Sequence, residues 1–480
     1  MGRWNRYNMI RQNDKIELHL DKQELRQALA TLCKFIAAKG GRALVVGGCV
    51  RDAVLGTTTK DLDVEVYGIE PAELVSTLAE HFRIDLVGQA FGVVKLHDYA
   101  IDIAIPRRES KVGLGHKGFD ILSNPCMTPE DAASRRDFTI NSMALDPTSG
   151  ELIDPFGGMR DIRKRILRHT SPKFVEDPLR VLRGMQFVAR LQLTVAPETV
   201  TLCRGIDPEG LARERIFEEW KKLLLLGVRP SIGLEFLRAC DWIRVFPELE
   251  ALVGCPQEPE WHPEGDVWTH TLHCLDAFAQ ERLGDEWEDL VVGLAVLCHD
   301  FGKPLTTKNE NGRIRTIGHE AAGESPTRSF LAGMTHQTDL VEAVVSLVMT
   351  HLRPKELFDT EAGDAAVRRL ARRVGRIDRL VRVARADQMG RPPVQFDGFP
   401  AGEWLLNKAR CLDVEKAAPK PIVMGRHLID LGLKPGPDFG RILSRCYDAQ
   451  IEGEFFTLEA GIEYARSVIA GSHLSDRLST

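Results

Sequence analysis

The hydrophobic positions in the first third of the chain change between helical and strand-like spacing. From Asp21 to about Lys39, apolar residues recur every three to four positions, which predicts an amphipathic helix ended by Gly40-Gly41. Short β-rich runs follow, with one further helix between them. This pattern predicts an α/β domain with a mixed sheet over residues 21–150. The β-rich runs are ALVVGG, DLDVEVYG, FRIDLVG, GVVKLH and YAIDIAIP, and the helix is PAELVSTLAEHF.

After Asp154 the strand patterns give way to helical ones. The Pro/Glu-rich stretch CPQEPEWHPEGD, residues 255–266, predicts a linker, and RPPVQFDGFPAG predicts a second break further on. A helical region that contains several histidines lies between these two breaks. The predicted organisation is an N-terminal extension (1–20), an α/β head (21–150), a helical body (151–254), a second all-α domain (255–390) and a C-terminal helical region (391–480).

Composition narrows the class of protein. The 480 residues are 43% hydrophobic and 28% charged, which excludes a wholly disordered or fibrous chain. No segment approaches the roughly 20 apolar residues that span a bilayer, so no membrane partner is expected. The N-terminus lacks the apolar core of a signal peptide, and the ten cysteines include no Cys-x-x-Cys pair. We therefore expect a cytoplasmic protein with reduced thiols.

The formal net charge of −6 would argue against a nucleic-acid partner, but basic residues are concentrated locally. Residues 160–190 carry nine Lys/Arg and only three acids, enough to neutralise phosphates. Arginines also recur on a helical pattern between residues 368 and 385. That second series predicts either a solvent-exposed helix face or a surface that contacts the elbow of a folded RNA.

A constellation of glycines and acids follows the first predicted strand. Gly47-Gly48 lie between that strand and a helix, where backbone N–H groups and the helix N-terminus favour a phosphate. Asp61 and Asp63 alternate on the next strand, so both carboxylates project from one face. Such carboxylates repel each other, and divalent cations that also bind a triphosphate would stabilise the pair. Asp102, on a later strand, is a candidate third carboxylate.

Five blocks of sequence, in order over residues 40–245, resemble the class II CCA-adding enzymes and related bacterial poly(A) polymerases. GGCVRDAVLGTTTKDLDVEVYG is similar to the family's catalytic motif, and RRDFTINSMAL to its ribose- and base-contacting motif. DPFGGMRDIRKRILRH resembles its flexible interdomain element. EDPLRVLRGMQFVARL and RERIFEEWKKLL resemble its base-reading helix and the helix that follows.

The resemblance implies a nucleotidyltransferase head and a role for each matching position. Asp61 and Asp63 would hold two Mg²⁺, which activate the tRNA 3′-hydroxyl and neutralise the leaving pyrophosphate. Gly47, Gly48 and Arg51 would hold the triphosphate of CTP or ATP.

The other matching positions would bind the nucleoside. Asp137 would contact the ribose 2′-hydroxyl, Arg136, Asp177 and Arg180 would hydrogen-bond the edge of the base, and Arg183 would belong to the same nucleotide-binding set. Asp177 and Arg180 are spaced i and i+3, which predicts that they share one helix face. A carboxylate and a guanidinium together match the donor and acceptor pattern of C and A, and would reject G and U through unpaired polar groups.

A second constellation lies in the histidine-bearing region. An apolar helix ends in adjacent His299-Asp300, and imidazole with carboxylate suits a transition metal or Mg²⁺. The order of histidines and acids around this pair resembles the HD phosphohydrolase superfamily, so residues 255–390 are identified as an HD domain. The resemblance implies His270, His299, Asp300 and Asp387 as ligands of a first metal and His319 and His351 as ligands of a second.

The combined prediction is an α/β nucleotidyltransferase head with a mixed sheet, followed by an all-α body and an all-α HD domain. The predicted function is addition of C, C and A to the 3′ end of tRNA from CTP and ATP, with Mg²⁺ in the head. The HD domain, with a divalent transition metal or Mg²⁺, would add a phosphatase or 2′,3′-cyclic phosphodiesterase for end repair. One alternative is a poly(A) polymerase or A-only adding enzyme, because these share every motif. Another is an HD phosphohydrolase whose N-terminal half only binds RNA.

Overall fold

In the computed structural model, which describes residues 16–85, 93–111 and 119–471, the chain divides into two units between Val245 and Phe246. The first unit contains the predicted head and the predicted body as far as Val245. The second contains residues 246–254, which were predicted as the end of the body, together with the predicted HD domain and C-terminal region. Most of the predicted N-terminal extension, residues 1–15, lies outside the described part of the chain. The finer domain boundaries remain predictions.

The first half of unit one is an α/β head built on a seven-stranded sheet. The strand order is β3-β4-β5-β2-β1-β8-β9, with β2 and β5 parallel and the other described pairs antiparallel. The prediction of a mixed sheet is confirmed. The strands are β1 (Arg42–Val46), β2 (Leu62–Tyr67), β3 (Ile84–Asp85), β4 (Val93–Leu96), β5 (Ile101–Ala104), β8 (Ala144–Leu145) and β9 (Leu152–Ile153).

The head helices pack as their apolar spacing predicts. In α1 the buried residues Leu25, Leu29, Leu32 and Ile36 recur on one face, and this face covers the sheet beside β1. A separate hairpin, β6 (Arg107–Lys111) with β7 (Phe119–Ser123), was not predicted. The helices of the head are α1 (Gln23–Ala38), α2 (Gly48–Val54), α3 (Pro71–His81) and α4 (Pro129–Ser134).

The helical body follows the head within the same unit. Helix α6 packs against α8 and α9, and Gly184 allows the approach, because a Cβ there would lie 2.9 Å from the Phe236 ring. Two short strands, β10 (Ile166–Leu167) and β11 (Thr194–Val195), pair in parallel. The body helices are α5 (Gly158–Lys164), α6 (Leu179–Leu191), α7 (Pro197–Arg204), α8 (Arg213–Leu226) and α9 (Pro230–Ala239).

Over residues 246–471, the second unit is helical apart from one hairpin, β12 (Lys308–Glu310) with β13 (Arg313–Arg315). Helix α12 is buried on all sides from Asp289 to Cys298, which explains its apolar sequence, and it packs against α11, α16 and α19. The helices are α10 (Pro247–Glu250), α11 (Val267–Gln280), α12 (Glu286–Cys298), α13 (Lys303–Thr306), α14 (His319–Ala322), α15 (Glu324–Ala332), α16 (Thr338–Val348), α17 (Arg353–Asp359), α18 (Asp364–Val374), α19 (Ile377–Met389), α20 (Pro400–Cys411), α21 (Gly425–Asp430), α22 (Pro437–Glu452) and α23 (Leu458–Ala470).

The predicted linker at residues 255–266 belongs to the folded second unit, so that prediction is wrong. The Pro/Glu-rich composition suggested a linker, but the acidic residues of this segment make hydrogen bonds and ion pairs within the folded unit. Asp266 caps α11 by accepting a hydrogen bond from the Thr269 backbone N–H at 2.9 Å. Glu264, whose side chain is fully buried, bonds to His270. Over the described ranges, no helix combines the length and the apolar character that a bilayer crossing requires.

Candidate functional site

The first site lies where β1 ends, because the sheet brings acidic residues together there. Val46 of β1 pairs with Asp63 of β2, and Asp63 lies beside Asp102 of β5 in parallel register. Residues paired in this way point to the same face of a sheet. Asp61 lies one residue before β2 and is exposed. Asp63 therefore has the Asp102 carboxylate as a neighbour. Asp61 raises the pKa of Asp63 through repulsion, but it is not among the described residues that line the cavity.

These carboxylates repel one another. Asp63 is exposed to solvent, but partial desolvation of its carboxyl at the cavity wall raises the pKa. The Arg136 guanidinium lowers it, and repulsion from Asp102 and Asp61 raises it again, so that the net shift is upward. Lys95 Nζ donates to Asp102 Oδ2 at 2.8 Å. A group of oxygen ligands with excess negative charge fits a hard divalent cation such as Mg²⁺.

Gly47 forms the turn that faces these acids. Its φ is +79°, and a Cβ at this position would lie 2.9 Å from Arg136 Nη1 and 3.7 Å from Asp63 Oδ2. Both the backbone conformation and the close approach therefore require glycine. Gly48 follows as the first residue of α2, and the two glycines line the cavity described below.

A hydrogen-bonded chain links the predicted triphosphate and ribose residues. Arg51 Nη1 donates to Asn141 Oδ1 at 2.7 Å, and Asn141 Nδ2 donates to Asp137 Oδ1 at 3.1 Å. Arg183 Nε donates to the other Asp137 oxygen at 2.7 Å. Burial opposes ionisation of Asp137, but Arg183 and Asn141 lower its pKa, so that it carries a negative charge. Asn141 was not singled out from the sequence, although it lies within the second matching block.

A buried ion-pair network fixes Arg136 in the head. Glu65 Oε1 accepts from Arg136 Nη2 at 2.8 Å and from Arg135 Nη2 at 3.2 Å, and Tyr67 Oη donates to Glu65 Oε2 at 2.9 Å. Because Glu65 is only 4% exposed, removing it would leave Arg136 poorly compensated. The network holds the Arg136 guanidinium beside Asp63.

The prediction that Asp177 and Arg180 share a helix face is wrong for Asp177. Helix α6 starts at Leu179, and Asp177 has extended backbone because Pro178 follows it. Its Oδ1 accepts from the Leu179 N–H at 3.1 Å, and Arg215 Nη2 of α8 donates to its Oδ2 at 2.8 Å. Arg180 donates instead to two backbone carbonyls, those of Lys173 at 2.8 Å and Arg135 at 2.5 Å.

Three arginines surround the ring of Phe187 on α6. The guanidinium carbons of Arg51, Arg183 and Arg190 lie 5.4, 5.6 and 5.8 Å from the ring centroid. Burial, with repulsion from Arg51, lowers the pKa of Arg190. This concentration of positive charge fits a polyphosphate. Arg190 was missed, but its helical spacing of i+7 from Arg183 and i+3 from Phe187 was a usable signal.

These residues line one cavity of about 690 Å³ in the first unit. That volume lies within the usual range of small-ligand sites. One wall is acidic and comes from strands, and the other is basic and comes mostly from helices. The predicted residues in the lining are Gly47, Gly48, Arg51, Asp63, Asp102, Arg136, Asp137, Asp177, Arg180 and Arg183, and those that were missed include Glu65, Arg135, Asn141, Phe187, Arg190, Arg215 and Lys222.

The second site lies in the second unit, where the predicted metal ligands are all buried. His270 is on α11 and Asp387 on α19, while His299 and Asp300 directly follow α12. The exposed fractions are 0% for His270, 1% for His299, 1% for Asp300, 7% for His319, 2% for His351 and 6% for Asp387.

Each of the four histidines uses Nδ1 for an outward hydrogen bond. The Nδ1 of His299, His319 and His351 lies 2.7–2.8 Å from the backbone carbonyl three residues earlier. His270 Nδ1 lies 2.7 Å from Glu264 Oε1. Because a carbonyl oxygen only accepts, Nδ1 must be the donor, and the neutral imidazole then carries its lone pair on Nε2. The four Nε2 atoms are thereby prepared as ligands.

The Nε2 atoms face one another in two pairs. His270 Nε2 lies 3.4 Å from His299 Nε2, and His319 Nε2 lies 3.3 Å from His351 Nε2. Asp300 connects the pairs, with Oδ2 3.2 Å from His299 Nε2 and Oδ1 3.5 Å from His319 Nε2. This geometry resembles two neighbouring metal positions that share one carboxylate.

The chemistry of this cluster fits a divalent cation. Neither oxygen of buried Asp300 makes a well-directed hydrogen bond, although Lys303 Nζ lies 2.7 Å from Oδ2. Burial opposes charge on His299, but the Asp300 carboxylate raises the pKa of that imidazole to about 10, so this position favours a positive charge, which a bound cation would supply in place of the proton. Burial and repulsion from His299 lower the pKa of His351 to about 3, so that its Nε2 lone pair is free. Imidazole and carboxylate ligands together suit a divalent transition metal.

Sequence reasoning did not assign roles to several residues around this cluster. Arg391 Nη2 lies 2.8 Å from Asp387 Oδ1, and Lys303 Nζ donates to Gln257 at 2.6 Å. Both cations line a cavity of about 220 Å³ together with Asp300, His319, His351 and Asp387. A cavity with cations beside potential metal ligands suits an anionic substrate. The i+3 and i+4 spacings of Lys303 and Arg391 from the acids were usable signals.

Comparison with known proteins gives three findings. Residues 43–168 match the model of the family described as the Poly A polymerase head domain. The multifunctional CCA protein of Stenotrophomonas maltophilia (strain R551-3) is 38% identical over 416 residues, which cover 84% of this chain and 97% of that protein. The multifunctional CCA protein of Xanthomonas campestris pv. campestris (strain B100) is 37% identical over 85% of this chain and 97% of its own length.

Solved structures share the fold. The Bacillus stearothermophilus CCA-adding enzyme, solved in complex with CTP, is 22% identical, with a TM-score of 0.62 over 94% of this chain and 100% of that one. The Thermotoga maritima CCA-adding enzyme complexed with tRNA is 19% identical, with a TM-score of 0.55 over 93% of this chain and 96% of that one. The α/β head followed by a helical body is therefore confirmed.

Proposed function

We propose the residue roles below from one premise: the chain belongs to the multifunctional CCA protein family. It is a nucleotidyltransferase that adds C, C and A to the 3′ end of tRNA. Its partners are CTP, ATP and tRNA, and it depends on a divalent cation. The structural observation that best supports this function is the cavity of about 690 Å³, in which carboxylates from the strands face a row of arginines.

We propose that Asp61 and Asp63 are the catalytic carboxylates and that Mg²⁺ is their cation. Mg²⁺, when bound, supplies charge neutralisation for the triphosphate and activation of the tRNA 3′-hydroxyl. The raised pKa of Asp63 and the neighbouring Asp102 support this role, because a bound cation would relieve the repulsion that Arg136 and Lys95 offset only in part. Arg136, held by Glu65, lies beside Asp63 and lowers the pKa of that carboxyl. Its predicted hydrogen bond to the edge of the base stays a prediction.

We propose that the triphosphate lies between the Gly47 turn and the arginines around Phe187. The Gly47 turn brings its backbone close to the Arg136 guanidinium, so that a phosphate bound there would meet both groups. Arg51 and Arg190 supply guanidinium groups that can bind phosphate oxygens in bidentate fashion. Asp137, held ionised by Arg183, can accept a hydrogen bond from a ribose hydroxyl.

We propose that Asp177 and Arg180 recognise the edge of the incoming base. Arg215 of helix α8 donates a hydrogen bond to the Asp177 carboxylate and holds it in place. Arg180 is held by hydrogen bonds to backbone carbonyls. Groups held in this way act as a rigid template, which rejects a base that leaves a buried polar atom unpaired. Arg215 thus has a positioning role in base selection.

A substitution series tests this base-recognition role. Asp177→Ala is expected to lower kcat/KM for both CTP and ATP by roughly 10- to 100-fold, the loss of a charged hydrogen bond. Arg215→Ala should have a smaller effect on rate but increase incorporation of UTP relative to CTP. The measurement is single-nucleotide addition to tRNA lacking CCA, with each of the four nucleotides. Glu214→Ala, at the exposed residue next to Arg215, is the matched control. Unchanged kcat/KM in Asp177→Ala, together with unchanged nucleotide selection in Arg215→Ala, would contradict the assignment.

We propose that the second unit is an HD-type phosphohydrolase that repairs tRNA ends. His270, His299, Asp300 and Asp387 would hold a first divalent metal, either a transition metal or Mg²⁺, and His319 and His351 a second. A divalent metal, when bound, supplies Lewis-acid activation of water for attack on a phosphate ester. Lys303 and Arg391 support a phosphate substrate, because both line the adjacent cavity. The proposed activity is a phosphatase or 2′,3′-cyclic phosphodiesterase.

The alternative functions are less well supported. A poly(A) polymerase or A-only enzyme would share the head, but relatives matched over 97% of their length are named as CCA proteins. A phosphohydrolase with an inert N-terminal half would have no use for Asp63 and its acidic neighbours. We further propose that the protein acts in the cytoplasm, because all ten cysteines are unpaired, as in a reducing compartment.

A further inference from the structure

A cysteine lies within the proposed metal centre of the second unit. Cys274 follows His270 by one helical turn on α11, and both are buried. Its Sγ lies 3.3 Å from His270 Nε2, the ring nitrogen that faces the metal ligands. The spacing of i and i+4 places the thiol and the imidazole on the same helix face.

The thiol is close to three proposed ligands of the first metal. Four buried residues each place one potential ligand atom within 4.8 Å of the others, and these residues are Cys274, His270, His299 and Asp387. In a tetrahedral zinc site, nitrogen and sulfur ligands at their usual bond lengths lie about 3.5 Å apart. The observed Sγ to Nε2 distance of 3.3 Å already matches that spacing.

The backbone around Cys274 leaves room for its sulfur atom. A Cβ at Gly390 would lie only 2.2 Å from Cys274 Sγ, so glycine is needed to leave room for the thiol. The carbonyl of Gly390 lies 3.2 Å from His270 Nδ1. A buried cysteine is usually a small apolar group. Cys298 is an example, since it lies at the end of the fully buried apolar helix α12. Cys274 instead has imidazole and carboxylate groups around its sulfur.

We propose that Cys274 is a thiolate ligand of the first metal in this centre, in addition to His270, His299, Asp300 and Asp387. This inference rests on the proposed metal centre and specifies its chemistry. Thiolate favours borderline and soft cations, whereas Mg²⁺ prefers oxygen. The first position would therefore select Zn²⁺ or Co²⁺ over Mg²⁺.

Co²⁺ titration of the metal-stripped full-length protein tests the thiolate ligand directly. The expected result is a near-ultraviolet charge-transfer band from thiolate to Co²⁺, together with visible d–d bands, and no displacement by excess Mg²⁺. Cys274→Ser should bind Co²⁺ without the charge-transfer band and at least about 10-fold more weakly. Cys298→Ala, at a buried cysteine outside the cluster, should keep both the band and the affinity. Cys274→Ala provides a second variant, and an unchanged far-ultraviolet circular dichroism spectrum and unchanged thermal unfolding of the second unit show that each variant is folded.

The outcomes separate the thiolate ligand from the metal centre. If the unsubstituted protein binds Co²⁺ with d–d bands alone, and Cys274→Ser and Cys274→Ala bind it equally well, the centre stands and the thiolate ligand is wrong. If His299→Ala removes Co²⁺ binding while Cys274→Ser changes neither spectrum nor affinity, the conclusion is the same. If the unsubstituted protein binds no Co²⁺ or Zn²⁺ at all, both the metal centre and the thiolate ligand are wrong.

Discussion

Replacing Asp63 with alanine is expected to abolish CCA addition, with a loss of about 10³-fold or more. Asp63 lies at the centre of the acidic wall, next to Asp102 in register and facing the Gly47 turn. Loss of a metal-binding carboxylate removes several kcal/mol of transition-state stabilisation, and each 1.4 kcal/mol is about tenfold in rate. Asp61→Ala should have a comparable effect. The measurement is single-turnover addition of labelled CTP to tRNA lacking CCA.

Two controls make the result on Asp63 specific. Asp98→Ala changes another acid of the head, whose side chain is 52% exposed and pairs only loosely with Arg83 at 3.6 Å, and it should leave addition unchanged. Hydrolysis of a 2′,3′-cyclic phosphate by the second unit should also persist in Asp63→Ala. Normal addition by Asp61→Ala and Asp63→Ala would show that other residues hold the catalytic cation.

Replacing His299 with alanine is expected to abolish metal-dependent hydrolysis of 2′,3′-cyclic phosphate, again by about 10³-fold, and to lower the bound metal content. His299 Nε2 lies 3.4 Å from His270 Nε2 and 3.2 Å from Asp300 Oδ2, so that its loss leaves an incomplete ligand set. CCA addition should be unaffected. The measurements are metal content after dialysis and release of the 2′- or 3′-phosphate end.

His273 provides the matched histidine control. It lies on the same helix as His270 but is not part of the candidate metal groups found among the described residues. His273→Ala should keep both metal and hydrolysis. If His299→Ala hydrolyses the cyclic phosphate at the normal rate, this cluster is not the hydrolytic centre. If the unsubstituted protein binds metal but hydrolyses no phosphate ester, the centre is structural.

Local sequence patterns predicted the parts of the head that depend on neighbouring residues in the chain. The apolar spacing of α1, the glycine turn at Gly47 and the acids around Asp63 are all local signals. The partners that fix the site are distant in sequence. Glu65 and Arg136, for example, meet only because the sheet and the following turn have one particular register. No local periodicity encodes such a contact.

Pro178 shows how one residue changes the geometry of a recognised motif. The i, i+3 spacing of Asp177 and Arg180 suggested a shared helix face, but proline forces extended backbone on the residue before it. Asp177 therefore needs a partner from another helix, and Arg215 supplies it. The motif could be recognised in the sequence, but the hydrogen bond from Arg215 that holds Asp177 could not be predicted from it.

The arginines between residues 368 and 385 also make contacts that are distant in sequence and could not be predicted from it. The sequence left open a solvent-exposed face or a contact with the tRNA elbow, because few acids lie nearby in the chain. In the structure most of them pair with carboxylates of other helices, which favours a structural role. The pairs are Arg369 with Glu452, Arg372 with Asp448, Arg376 and Arg379 with Glu288, Arg382 with Asp289, and Arg385 with Glu281.

The central claim is that one cavity, lined by Asp63 on one wall and by Asp177 and Arg180 on the other, adds C, C and A in order. The most direct test gives the purified protein three tRNA substrates that lack CCA, CA or A, with CTP and ATP supplied separately and together. We predict two C residues from CTP alone on the shortest substrate, one A from ATP on the substrate lacking only A, and termination after CCA when both are present. Addition of A alone to every substrate, or of long A tails, would contradict the claim.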